Sequence, residues 1–230
     1  MNVDFFVIFL FSPDFVNLLE NITPLPSDPS CTFDLNVLKL VVFHTCNPLN
    51  LYSELRRINT IRHLLSVDST KARVSTFVLS RLNCCNSLLS GCPKHLEKLQ
   101  KVQNSAARLV LKAHKRDHVS PLLRTLHWLP FQASIEFNLS TLCHSFFSDT
   151  APVYLSDLLH VYSPSRQLCS SSDPRTLRSP QIKTKTFGHR SFSCAAPSVR
   201  NSLSREIRHI QSTTARTTAL KTHLFKSYLY

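Results

Sequence analysis

From residue 51 onward, apolar side chains return every three or four positions, a period that an α-helix places on one side. In LYSELRRINTIRHLLS the stripe is Leu51, Leu55, Ile58, Ile61 with Arg62, and Leu65, while Arg56, Arg57 and Arg62 lie beside or opposite it. A second run, VDSTKARVSTFVLSRLNCCNSLLSG, repeats Val74, Val78, Leu82, Cys85 and Leu89, with Phe77 and Leu88 alongside. Asp68 or Ser69 suits its N-cap and Gly91 its C′ position, one for its side-chain oxygen and the other for its tolerance of positive φ. Cys84 falls about 100° around from the stripe, which predicts a half-buried side chain. PKHLEKLQKVQNSAARLVLKA opens on Pro93, a residue tolerated in a first turn, and turns Leu96, Leu99, Val102, Ala106, Leu109 and Ala113 inward.

The pattern is less regular elsewhere. HKRDHVSPLLRTLHWLP predicts a polar connection and a short helix stopped by Pro130. FQASIEFNLSTLCHSFFSD follows as a buried helix with Ile135, Leu139, Leu142 and Phe146 inward, and PVYLSDLLHVY as another short helix. Residues 163–185, rich in Ser, Pro, Arg and Lys, read as an exposed, mobile loop. TKTFGHRSFSCAAPSVRNSL predicts a short extended or hairpin element near residues 184–194, and a last helix covers residues 213–228. Residues 12–50 hold five prolines and no sustained period, so they read as loop with one short strand at residues 38–43. The expected fold is therefore mainly α. It has a loop-rich segment over 1–50, a helical bundle over 51–162, a basic Ser/Pro-rich loop over 163–185 and a tail with a final helix over 186–230.

Charge divides the chain in the same place. It carries 27 Lys and Arg against 14 Asp and Glu, a net +13 with a pI near 9.7. Residues 1–50 hold one base, Lys39, and five acids (Asp4, Asp14, Glu20, Asp28 and Asp34), a balance of −4 that leaves +17 on the remainder. A surplus of that size favours polyanions, nucleic acid before anionic membrane. The opening MNVDFFVIFLF has no basic residue before its apolar run, Asp4 interrupts it, and the run is too short to cross a bilayer. Neither signal peptide nor membrane anchor is expected, and the eight cysteines read as small buried side chains in a reducing compartment, cytoplasmic or nuclear.

Several chemistries are excluded by residues that are missing. The two glycines, Gly91 and Gly188, cannot build a G-x-G-x-x-G turn, a P-loop or a G-x-S-x-G elbow. No two acidic residues are adjacent and no aspartate-rich cluster exists for paired Mg²⁺ ions, which argues against polymerase or nuclease chemistry. Cys84, Cys85 and Cys92 with His114 and His118 lack a C-x₂-C spacing, so Cys85 reads as core and the two histidines as part of a basic linker. No catalytic residue, metal or cofactor is expected, and nothing marks a particular Cys–His pair among the 11 histidines. His127 and Trp128 in LHWLP read as a core anchor.

What remains is a row of bases. Lys94, Lys98, Lys101, Arg108 and Lys112 recur at helical spacing about 100° from the apolar stripe and continue into Lys115 and Arg116. Such a row either contacts phosphates, which needs only charge and reach, or is a solvated face. A second set, Arg175, Arg178, Lys183, Lys185 and Arg190, has Phe187 and Phe192 interleaved, the mixture that binds a single strand by charge and stacking, although an ordinary basic loop is the simpler reading. The expected partner is RNA, DNA or an RNA–DNA hybrid, with no small-molecule substrate.

The segment LRRINTIRHLLSVDSTKARVSTFVLSRLNCCNSLLSGCPKHLEKLQKVQNSAARLVLKAHKRDHVSPLLRTLHWLPFQASIEF, followed by APVYLSDLLHVYSPSR, KTKTFGHRSFSCAAPSVRNSL and ALKTHLF, resembles the C-terminal end of the reverse transcriptase of jockey-like LINE retrotransposons, the non-LTR kind. The resemblance spans about residues 51–230, with several long motifs in the same order. In that family the region is similar to the thumb and the tail that follows the polymerase palm. This chain departs from the pattern at Asn83 and Cys84, where Asp and Tyr are usual, at Arg200, where Trp is usual, at Ser204, where Pro is usual, and at Arg216, where an apolar aromatic is usual. Charge at a core position is costly, and such changes mark a decaying copy. The family's endonuclease and its palm with paired aspartates have no counterpart here, so no catalytic residue carries over. The resemblance implies a catalytically inactive, thumb-like fragment with non-specific affinity for nucleic acid. The alternatives are an interaction protein, a relic with no selected function, or an enzyme of unrecognised type.

Overall fold

The computed structural model describes residues 47–84, 86–151, 153–163, 175–181 and 191–230. The expectations for residues 1–46, and for Cys85, Lys183, Lys185, Phe187 and Arg190, lie outside these. Among the described residues the protein is mainly helical, without a strand, and its one isolated β-bridge pairs Val161 with Leu177.

Asn47 starts the first helix by accepting the Leu49 N–H on its side-chain oxygen at 3.0 Å, and Pro48 fills the first turn. Helix α1 (Pro48–Thr60) buries Leu51, Leu55 and Ile58, and the same register brings Arg62 into the interior. Helix α2 (Val67–Val74) is capped by Ser66, whose hydroxyl accepts the Ser69 N–H at 3.1 Å, rather than by Asp68 or Ser69. It runs through a π-helical stretch, Ser75–Leu79, into α3 (Ser80–Asn83). Val74, Val78 and Leu82 are buried as their spacing predicts, whereas Phe77 remains 45% exposed.

The helix does not continue to Leu89. Cys84 adopts an extended ψ of 118° and Asn86–Leu89 forms a short 3₁₀ turn, with Gly91 at φ 72° beyond it. Asparagine side chains explain the break, because they offer the backbone an alternative to helix. Asn86 accepts from Asn138 at 2.8 Å and donates to Ser134 at 3.2 Å, while Ser134 donates to Asn83 at 3.0 Å. These bonds hold the segment against the later helix that carries Ser134 and Asn138, and the break leaves Cys84 buried instead of half-buried.

Helix α4 (Pro93–Leu111) ends two residues earlier than predicted, because Lys112 after it takes the left-handed conformation with φ 53°. Leu99, Val102 and Ala106 face inward as expected. Gln103, Ala107 and Val110 join them, and Leu96, Leu109 and Ala113 are only half-buried, because α4 is flanked by α1 and α2 as well as by the next helices. Those are α5 (Val119–Leu126) and α6 (Phe131–Phe147); the short α7 (Val153–Ser156) comes after them in the chain. Pro130 offers no side-chain cap for α6; Gln100 of α4 supplies one, accepting the Phe131 N–H at 2.8 Å, while Gln103 donates to the Leu129 carbonyl at 2.8 Å. Trp128 is core, but His127 is exposed, with φ 57° at the end of α5.

Two further expectations are corrected in the C-terminal part. Of the expected exposed loop over 163–185, the described residues 175–181 are loop but not loose: Leu177 is buried and clamped by Asn201, which accepts its N–H at 3.1 Å and donates to its carbonyl at 2.8 Å. Of the extended or hairpin element expected near residues 184–194, the part up to residue 190 lies outside the described residues, and its end is helical instead: α8 (Phe192–Ser202) begins at Phe192 and contains Pro197. A proline inside a helix forfeits one hydrogen bond. Burial of Phe192, Ala195 and Ala196 against the main core offsets that loss. Helices α9 (Arg205–His209) and α10 (Thr213–Leu229) follow. Ile207, Leu220 and Leu224 form a second, smaller cluster with Ala133 and Leu203.

Candidate nucleic-acid interface

The row of bases rests on α4, whose other side is held by the core. Lys94, Lys98 and Lys101 are exposed, and among the described residues none of them enters an ion pair. Steps of four and three residues keep these three within about 60° of one another around the axis and over about 10 Å along it. Pro93 and the absence of acid in the first turn leave the helix start without a local counter-charge, although Glu97 sits within the row and offsets part of its field.

The far end of the row is built differently. Arg108 is half-buried, its Nη2 donating to the Asp117 carbonyl at 3.1 Å, and its Nε is buried without a partner. It braces the loop after α4 instead of extending the free row. Both Lys112 and Ala113 donate their N–H groups to the Arg108 carbonyl, and Asp117 accepts the His114 N–H at 2.7 Å, closing a tight turn. Lys112, Lys115 and Arg116 are exposed on this turn. The structure thus brings Lys94, Lys98 and Lys101 onto one rigid helical face, sets Lys112, Lys115 and Arg116 on an adjoining turn, and takes Arg108 largely out of reach.

Of the second basic set, only Arg175, Arg178 and Phe192 lie among the described residues. Phe192 is buried in the core, and Arg175 is half-buried with its Nη1 donating to the Arg208 carbonyl at 3.2 Å. Arg178 is exposed.

Three arginines that the sequence places at core positions, Arg62 on the apolar stripe and Arg200 and Arg216 by the resemblance, are buried, each no more than 5% exposed, and it is their acceptors that the sequence does not signal. Arg62 donates to the carbonyls of Leu65, Leu109 and Val110, two of them at the C-terminus of α4. Arg200 reaches the Arg208 carbonyl at 3.0 Å and stands 4.8 Å above the Phe147 ring, and Arg216 reaches the Ser140 carbonyl at 3.3 Å. Between them lies Cys143, whose thiol is pushed up to about 12 by burial, an effect the two neighbouring guanidinium charges oppose but do not overcome. A thiol so placed is not a nucleophile at neutral pH. The adjacent His144 is held below the usual histidine range by burial first and by the Arg216 charge second. Its ring meets the Ile210 carbonyl at 3.3 Å and the Ser148 hydroxyl at 3.1 Å.

No group of three or more His, Cys, Asp or Glu residues able to hold a metal occurs among the described residues, and none of their helices is long and apolar enough to cross a membrane. No protein-family model, curated protein or solved structure matches the chain.

Proposed function

We propose that this protein is a thumb-like remnant of a jockey-like LINE reverse transcriptase, without polymerase or endonuclease chemistry of its own, that grips RNA, DNA or an RNA–DNA hybrid through its phosphates. The observation that carries this reading is the exposed row Lys94, Lys98 and Lys101 on a helix fixed from behind by Leu99, Val102, Ala106 and Val110. Phosphate contacts need such a platform and carry no sequence information, so the affinity is general. Lys112, Lys115 and Arg116 extend the charged surface at the end of α4.

The test is a salt titration of binding to a fluorescent RNA–DNA hybrid. Each phosphate contact contributes about 0.7–0.9 to the slope of log K against log salt, so changing Lys94, Lys98 and Lys101 together to glutamine flattens it by about 2–3. Binding that ignores salt, or a variant with the parent slope, removes the proposal.

A second reading, a protein-interaction surface, is favoured by Leu49, Leu64 and Val153, which are 76%, 75% and 77% exposed. A monomer at all concentrations by light scattering, unfolding cooperatively, argues against it.

A further inference from the structure

Between α5 and α10 lies an open groove of about 630 Å³, lined by Arg124, His127, Thr222, Phe225, Lys226 and Tyr230. Its size falls within the range of small-ligand sites, roughly 300–1,000 Å³. The lining combines two formal positive charges and an imidazole with two aromatic rings, and contains no acidic side chain. On α10, Thr222 and Lys226 are four residues apart and so share one face, and Tyr230 follows directly after the helix end.

The polar and flat groups are also already paired. The Arg124 guanidinium lies 4.4 Å from the centre of the Tyr230 ring, and its Nε is buried without a hydrogen-bond partner. Tyr230 is 87% exposed, so the rest of its ring is open to solvent. A cation stacked on an exposed aromatic is the arrangement that receives a base on the ring and its phosphate on the cation. Openness decides between a free nucleotide and a strand: a small ligand needs most of its surface enclosed, whereas a strand is held by stacking and charge at several successive units.

We infer that this groove is a subsite for single-stranded nucleic acid, in which Tyr230 and Phe225 stack a base and Arg124, Lys226 and His127 hold the adjoining phosphate. The inference rests on the nucleic-acid reading above but uses a surface other than the α4 row, on side chains that the second basic set did not include.

The experiment follows the fluorescence anisotropy of a fluorescein-labelled oligothymidylate with the full chain, beside the RNA–DNA hybrid as a separate ligand. Tyr230→Ser, which changes an exposed side chain, weakens the oligothymidylate about tenfold, the size of one lost base stack. Tyr230→Phe retains the parent affinity, and Arg124→Gln with Lys226→Gln weakens the strand as Tyr230→Ser does while leaving the hybrid unchanged. Full affinity in Tyr230→Ser overturns the subsite, as does a chain that binds the hybrid but not the strand. Displacement of the strand by thymidine monophosphate at equal molar concentration overturns it in favour of a free nucleotide. Loss of hybrid binding alone would remove the α4 reading and leave the groove standing.

Discussion

Buried arginines occur in two regions of this protein, and their surroundings differ. In the first, Arg62 spends all three guanidinium nitrogens on carbonyls at 2.8–3.0 Å, and two of those carbonyls end α4. A helix leaves its last four carbonyls without intrahelical donors and carries partial negative charge there, so a cation at that position satisfies both the bonding and the field. In the second region Arg200 and Arg216 each make one such bond, and the Nε of each is buried with no partner. Burial and the positive charges around it hold Arg200 well below the usual arginine value, to about 10, although its proximity to Cys143 works the other way. A burial site alone therefore does not say whether a charge stabilises; the acceptors around it do.

The largest effect follows from the better-satisfied residue. Arg62→Ala leaves the Leu65, Leu109 and Val110 carbonyls short of donors and opens a cavity, at a cost of about 3 kcal/mol in urea unfolding. Arg62→Lys, with a point charge in place of a fork, recovers only part of it. A loss under about 1 kcal/mol for Arg62→Ala would mean that the carbonyls find water and that the contrast between the two regions is not energetic.

The opposite sign is expected in the second region. Arg200→Met and Arg216→Met remove a buried charge and an unsatisfied Nε while retaining most of the volume, and each leaves stability unchanged or raises it by about 1–2 kcal/mol, read as a Tm higher by a few degrees. The cation–π contact of Arg200 with Phe147 makes its gain the smaller of the two. A clear fall in Tm for both would erase the distinction from Arg62.

How far this was legible depends on sequence distance. The period of four from Ile58 to Arg62 points Arg62 inward, but its acceptors at Leu109 and Val110 lie in another helix. The lysine row on α4 was readable because the i, i+4 spacing is local. Arg108 shares that spacing and still departs from the row, because the Asp117 carbonyl it meets belongs to a turn whose shape the helix pattern does not encode. Helix α8 escaped notice since FSCAAPSVRNS contains a proline and serines; contacts of Phe192, Ala195 and Ala196 with the core override that poor propensity. The groove at Arg124 and Tyr230 joins two helices far apart in the chain, so neither stretch alone signalled it.

The smallest effect, and the one that sharpens the comparison most, is a pH dependence confined to the second region. His144 meets the Ile210 carbonyl with Nε2 and the Ser148 hydroxyl with Nδ1, contacts that fit a neutral ring with its proton on Nε2. Burial and the nearby Arg216 hold its folded pKa below the unfolded value of about 6.5. The unfolded chain then binds more protons than the folded one on acidification, so this contribution is fully present above about pH 6.5 and is lost as the pH falls toward the folded pKa. The Tm of the parent accordingly drops between pH 7.5 and pH 5 by more than that of His144→Gln. Arg216→Met gives an intermediate slope, because one of the causes of the shift is gone and burial, the larger one, remains. Equal slopes in all three proteins would mean that His144 titrates alike in both states, and that the charges of the second region do not reach it.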